Sequence, residues 1–155
     1  LSVEFLHESG LMRVVCILLT SLALVACGPV PGGSLSGTPT RAPKDWSALL
    51  DEGHAFCEIE SRPSEPHSIQ LDCFLYRDQI YVQSHRWALE SWWPVESWAA
   101  IWIQAPMVRL RIGRQIFELR AVHISDPAER LEVLKFRGYD PVPNGIAAFR
   151  FEPRS

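Results

Sequence analysis

Two cysteines, Cys57 and Cys73, each sit in a stretch where apolar and polar residues alternate. A thiol pair in such a setting either closes a disulfide or packs as two small hydrophobes. If their segments pair as a hairpin about Glu65, Cys57 falls opposite Cys73 and Ile59 opposite Leu71, all on one apolar face. Facing Cβ atoms lie about 4.5–5.5 Å apart, and a disulfide wants roughly 3.5–4.5 Å, so only the closer register joins them. No Cys-x-x-Cys spacing marks a redox centre. Ser84-His85-Arg86-Trp87 puts a hydroxyl, an imidazole, a guanidinium and an indole in a row; by itself this is a polar loop closing a strand. His54, His67, His85 and His123 are scattered without metal-ligand spacing, and His123 shares a face with Phe117, Leu119 and Ala121, at a core or rim position. Trp87, Trp92 and Trp93 fall in a loop, where indoles line a ligand pocket, a dimer interface or a membrane-facing patch. Arg109, Arg111 and Arg120 lie on a solvated sheet face, with Arg109 opposite Glu118. No nucleophile elbow, phosphate loop or paired catalytic carboxylates are present.

The elements that must position these residues follow from periodicity. Ala55–Glu60, Ile69–Tyr76 and Gln79–Ser84 alternate as strands, the last two joined through Arg77-Asp78. Over Pro94–Ala105 the period changes: Val95, Trp98, Ala99 and Trp102 recur at helical spacing, and Pro106 stops the helix. Met107–Ile112 and Gln115–Ile124 form a hairpin about Gly113-Arg114, with Leu110 opposite Phe117 and Val108 opposite Leu119. Asp126-Pro127-Ala128-Glu129 starts a second helix, with Asp as cap and Pro in its first turn. That helix is expected to carry Leu131 and Leu134 inward and to end at Gly138. Gly145–Phe151 reads as a final strand, and Asp45–Glu52 as a short helix. Mostly antiparallel strands with two to three flanking helices predict an α+β domain or a partly open barrel.

The first residues have a different character. Met12-Arg13 reads as a start with a short positive region, and Val14–Val25 is apolar apart from Thr20 and Ser21. That run is shorter than the roughly 20 residues a bilayer span needs, and matches the apolar region of an export signal. It ends in Leu24-Val25-Ala26-Cys27, which resembles the lipobox of bacterial lipoprotein precursors. The resemblance implies cleavage before Cys27 and acylation of that cysteine. It divides the chain into a signal peptide over 1–26, a lipidated Cys and Gly/Pro/Ser-rich flexible tether over 27–43, and a domain over 44–155. Gly28, not Asp, follows the cysteine, which under the same resemblance points to the outer membrane, facing the periplasm. Loss of Glu4, Glu8 and Arg13 with the signal moves the formal charge from −3 to −2, which gives no case for a nucleic-acid partner.

A second resemblance rests on Cys57-Glu58-Ile59-Glu60, Pro66-His67-Ser68-Ile69, Gln79-Ile80-Tyr81-Val82-Gln83-Ser84, Trp98 with Pro106, Val108-Arg109-Leu110-Arg111-Ile112-Gly113, Leu119-Arg120-Ala121-Val122 and Asp126-Pro127-Ala128-Glu129-Arg130. Over about residues 55–137 the chain resembles the split β-barrel group of pyridoxamine-phosphate-oxidase-like flavoproteins and deazaflavin-dependent nitroreductase-like proteins. The resemblance implies a split barrel, contacts to a cofactor from Ser84, His85, Arg86 and Trp98, and flavin, deazaflavin or haem chemistry in a homodimer. Ser61-Arg62-Pro63-Ser64-Glu65 stands where cofactor-binding members carry a glycine-rich basic turn, and Ile101 where they often have Asn. The sequence therefore leads to a membrane-anchored envelope lipoprotein with a degenerate barrel that binds a small ligand or a protein partner. The alternative is an oxidoreductase of the split-barrel type.

Overall fold

The structure is a computed structural model, and it describes residues 32–62, 64–89 and 97–154. The signal segment, Cys27, Trp92, Trp93, Pro94 and Val95 lie outside the described residues.

Strand β1 is Thr38–Pro39, β2 His54–Ser61, β3 His67–Tyr76, β4 Gln79–Gln83, β5 Met107–Ile112, β6 Gln115–His123 and β7 Ala148–Pro153. A single 3₁₀ turn covers Ser47–Leu49, and helices α1 and α2 cover Trp98–Gln104 and Pro127–Phe136. Around the sheet the order is β6-β5-β2-β3-β4-β7, and β7 pairs back onto β6. Six antiparallel strands thus close a barrel, as expected of an α+β fold, and β1 adds a short parallel pairing at Gln115 and Ile116.

Local chemistry explains most of the elements. The turn between β3 and β4 has positive φ at both central residues, 48° at Arg77 and 61° at Asp78. That is the pattern whose twist suits a two-residue hairpin. Gly113 takes φ +57° in the turn between β5 and β6, where glycine has no Cβ penalty. The β5–β6 register is the expected one, with Leu110 opposite Phe117, Val108 opposite Leu119 and Arg109 opposite Glu118. Ser97 caps α1 by accepting from Ala100 N. Asp126 caps α2 by accepting from Glu129 N at 2.8 Å, and Gly138 follows that helix at φ +86°.

Two side-chain placements differ from expectation. In α2, Val133 and Leu134 are buried whereas Leu131 is 42% exposed. The helix packs on the outer wall of the barrel, beside Phe74, Tyr81, Ile146 and Ala148, and this turns the 133/134 side inward. In the β2–β3 hairpin, Cys57 lies opposite Leu71, and Cys73 opposite Ala55. The two cysteines are therefore diagonal neighbours, yet they are joined as a disulfide with Cα atoms 5.9 Å apart.

The barrel interior is filled. Ile59, Leu110, Phe117, Leu119, Phe149 and Phe151 are fully buried, and α1 inserts Trp102 among them. Trp102 lies 5.4 Å from Phe149 and 5.9 Å from Phe151 between ring centres. Trp46 lies edge-on to Phe117 at 5.1 Å. Each large aromatic taken wholly from water removes roughly 150–250 Å², about 4–6 kcal/mol before entropic costs.

From Gly32 onward, the stretch read from composition as a tether is laid over the outside of the barrel. Gly32 exchanges two backbone hydrogen bonds with Ser68 of β3, both 2.9 Å. Leu35 N and Ser34 Oγ donate to Glu60 of β2. Arg111 of β5 donates to Ser36 O at 2.9 Å. Thr38 N and Thr40 N donate to Arg114 O and Ile116 O, both at 2.8 Å. This strap touches β3, β2, β5 and β6 in turn. Its apolar content is low, and backbone amides and carbonyls hold it instead. A Cβ on Gly37 would come within 2.6 Å of Arg114 O, so the close approach needs glycine.

Candidate functional site

Because the barrel lumen is packed with side chains, the room for any ligand lies on its outside. The best-formed cleft near the expected residues lies at the barrel end where β4 stops and β7 begins. Arg86 and Trp87 form one wall, and Gly138, Tyr139, Asp140, Pro141, Val142 and Pro143 form the other, around about 530 Å³.

Both walls are built by specific contacts. Ser84 is buried, and its Oγ accepts from Ala147 N at 2.8 Å and donates to His85 O at 3.0 Å. It therefore ties the end of β4 to the strand entering β7. Leu89 N donates to Gly145 O at 3.1 Å, and His85 Nδ1 accepts from Trp87 N at 3.2 Å. These contacts leave the Arg86 and Trp87 side chains exposed at the cleft. The opposite wall is pinned by Arg130 of α2, whose guanidinium donates to Pro143 O at 2.6 Å, Asn144 O at 2.9 Å and Ile146 O at 2.7 Å. A charged donor on several carbonyls fixes a loop more firmly than neutral hydrogen bonds do. Chemically the cleft offers one cation, one exposed indole, the carboxylate of Asp140 and a proline-rich surface.

Of the four residues expected at a cofactor, only Arg86 lines this cleft. Ser84 is engaged structurally. Trp98 packs at the barrel mouth, 4.5 Å from Trp102 and 5.9 Å from Phe149. His123 stands 5.3 Å from Phe149; burial first, and then the positive charge of Arg130, lower its pKa. Among the described residues no group of three His, Cys, Asp or Glu is placed to hold a metal ion.

A second groove of about 400 Å³ runs beside the strap and is lined by Glu60, Met107, Arg109, Glu118 and Arg154 among others. Its charges pair with one another. Arg109 pairs with Glu60 at 3.1 Å and with Glu118 at 3.2 Å. Arg154 reaches Glu118 and donates to Val108 O at 2.8 Å. The Arg109–Glu118 pairing follows from the hairpin register, whereas Glu60 in β2 and Arg154 after β7 are distant in sequence and carry no local signal. A third cluster joins Arg137, at the end of α2, to Asp72 at 2.5 Å, Gln83 at 3.0 Å and His54 at 3.1 Å, with its guanidinium 4.6 Å above the Phe74 ring. It braces α2 against β2, β3 and β4.

Neither the protein-family models nor the curated proteins compared with this chain match it.

Proposed function

We propose that the chain is an envelope lipoprotein, anchored through Cys27 to the outer membrane on its periplasmic side, whose barrel is a binding module without catalysis of its own. The observation that carries this reading is the filled barrel beside an open surface cleft. Chemistry of the split-barrel type needs a pocket that surrounds a cofactor. In the rival a second chain would complete that pocket, whereas one chain by itself offers a half-open cleft with Arg86 as its cation and Asp140 opposite. Such a cleft suits a small ligand with a planar part that stacks on Trp87, or a peptide segment of a protein partner.

The rival reading, a flavin-, deazaflavin- or haem-dependent oxidoreductase working as a homodimer, draws on the same place: the cleft adjoins the Ser84–Arg86 segment. A spectrum separates the two. The full chain, solubilised in detergent, is titrated with a flavin mononucleotide, a deazaflavin and haem. A binding module of the proposed kind gives no saturable absorbance shift with any of them. A saturable shift that Arg86→Ala abolishes would replace it with the oxidoreductase.

A further inference from the structure

Four exposed large apolar side chains gather at one end of the barrel. Trp87 and Leu89 follow the end of β4, Ile103 lies on α1, and Met107 begins β5; each is 39–46% exposed. β2, β4 and β6 finish at this end, and β3, β5 and β7 begin there. The strap begins here too, since Gly32 is bonded to Ser68, next to the first residue of β3. Whatever its path, the link from Cys27 to Gly32 reaches at most about 18 Å. The opposite end of the barrel is further off, because Tyr76 lies about 26 Å along β3 from Ser68 at the usual strand rise.

We infer that this end of the barrel rests on the lipid surface that carries the anchor, with Leu89, Ile103 and Met107 entering the headgroup region. The inference rests on the lipidation reading of Cys27. The strap turns a tether into a mount. Because it is bonded to four strands before the chain enters β2, the slack between lipid and barrel is the Cys27–Gly32 link and not the whole stretch to Pro43. Charges at this end have both signs, with Arg62 and Arg86 against Glu65 and Asp126, so apolar insertion provides the attraction and added salt leaves it nearly unchanged. Phe56 on the wall of β2, Leu131 on α2 and Phe136, the last residue of α2 and packed beside Tyr76, are also exposed. They would meet the bilayer only if the barrel lay on its side or stood inverted.

The test uses the full lipidated chain in phosphatidylcholine–phosphatidylglycerol vesicles. Leu89→Cys, Ile103→Cys, Phe56→Cys and Leu131→Cys variants are labelled one at a time with a fluorophore and exposed to spin-labelled lipids. The expected result is at least threefold stronger quenching at positions 89 and 103 than at 56 and 131. Equal quenching, or stronger quenching at 56 or 131, overturns the orientation. Intact mass is measured on the same samples. A diacylglyceryl mass with unquenched labels at 89 and 103 refutes the mount alone, whereas its absence from Cys27 removes the lipoprotein reading and the mount with it.

Discussion

Removing the cross-link between Cys57 and Cys73 should cost the fold about 3 kcal/mol. The two residues are 16 apart in sequence. In the chain-entropy account, closing a loop of that size removes roughly 10 cal/mol/K from the unfolded ensemble, or about 3 kcal/mol at 25 °C. Because β2 and β3 stay paired along their whole length, little of the native structure should change when the bond is opened, and the loss falls on the unfolded side. For a domain of this size the loss corresponds to a melting temperature lower by roughly 10 °C. Both sulfurs are buried, so the bond is opened by unfolding in urea with reductant and refolding before measurement. Urea titrations followed by tryptophan fluorescence then compare oxidised protein, refolded reduced protein and the Cys57→Ala/Cys73→Ala variant. The reduced protein isolates the cross-link. The variant should fall lower still, because it also loses two sulfur atoms from a packed interior. If the oxidised and reduced forms differ by less than about 1 kcal/mol, the reasoning from loop size fails.

Three further outcomes follow from the strap and the barrel mouth. Glu60→Ala leaves Leu35 N and the Arg109 guanidinium without their shared acceptor in a buried site, and should destabilise by about 2–3 kcal/mol in the same titration; an unchanged midpoint would show that water replaces the carboxylate. Gly37→Val forces a side chain against Arg114 O and Ile116, so the strap should lift and residues 32–43 should be cut at least tenfold faster by a broad-specificity protease, with the barrel itself intact. Equal cleavage rates would mean that the strap accommodates the side chain. His123 has its pKa lowered chiefly by burial and then by Arg130, so the fold prefers its neutral form. Its contribution is present above the unfolded value of about 6.5 and is lost as pH falls through the lower folded value. His123→Gln should therefore flatten the fall in stability below about pH 6.5, and superimposable pH profiles for the two proteins would rule this out.

The parts of the fold legible in sequence are those fixed by neighbours along the chain. The β5–β6 hairpin is centred by Gly113, and its apolar alternation permits only one phase. The start of α2 is written in Asp126-Pro127 and its end in Gly138. The β2–β3 register was less determined. The expected pairing about Glu65 and the observed one about Ser64 place the same residues inside, since a shift of two residues preserves the face. The apolar pattern therefore could not choose between them, and the diagonal cysteines still reach each other. Leu131 and Val133 are equally apolar by type, and only the position of α2 on the outer wall decides which is covered. The strap was unreadable for a different reason. Its partners, Ser68, Glu60, Arg111 and Ile116, are held by the finished barrel, and nothing in Gly32–Pro43 alone points to them. The paired glycines at 32 and 37 and the lone Leu35 were the available signal. At the cleft, the split-barrel resemblance points to Arg86 and the loop aromatics include Trp87, but the facing wall depends on Arg130 reaching three carbonyls across the loop, a long-range arrangement with no local mark.

The strap also sets an order of events. Its contacts come from strands spread between residues 60 and 116, so it finds no surface until β2, β3, β5 and β6 have assembled. The segment closest to the N-terminus of the described protein therefore orders only after those strands, and it should detach before they separate when the protein loosens. Amide hydrogens at Leu35, Thr38 and Thr40 should exchange with deuterium through an opening that costs less than global unfolding, while those of the closed barrel wait for the whole structure.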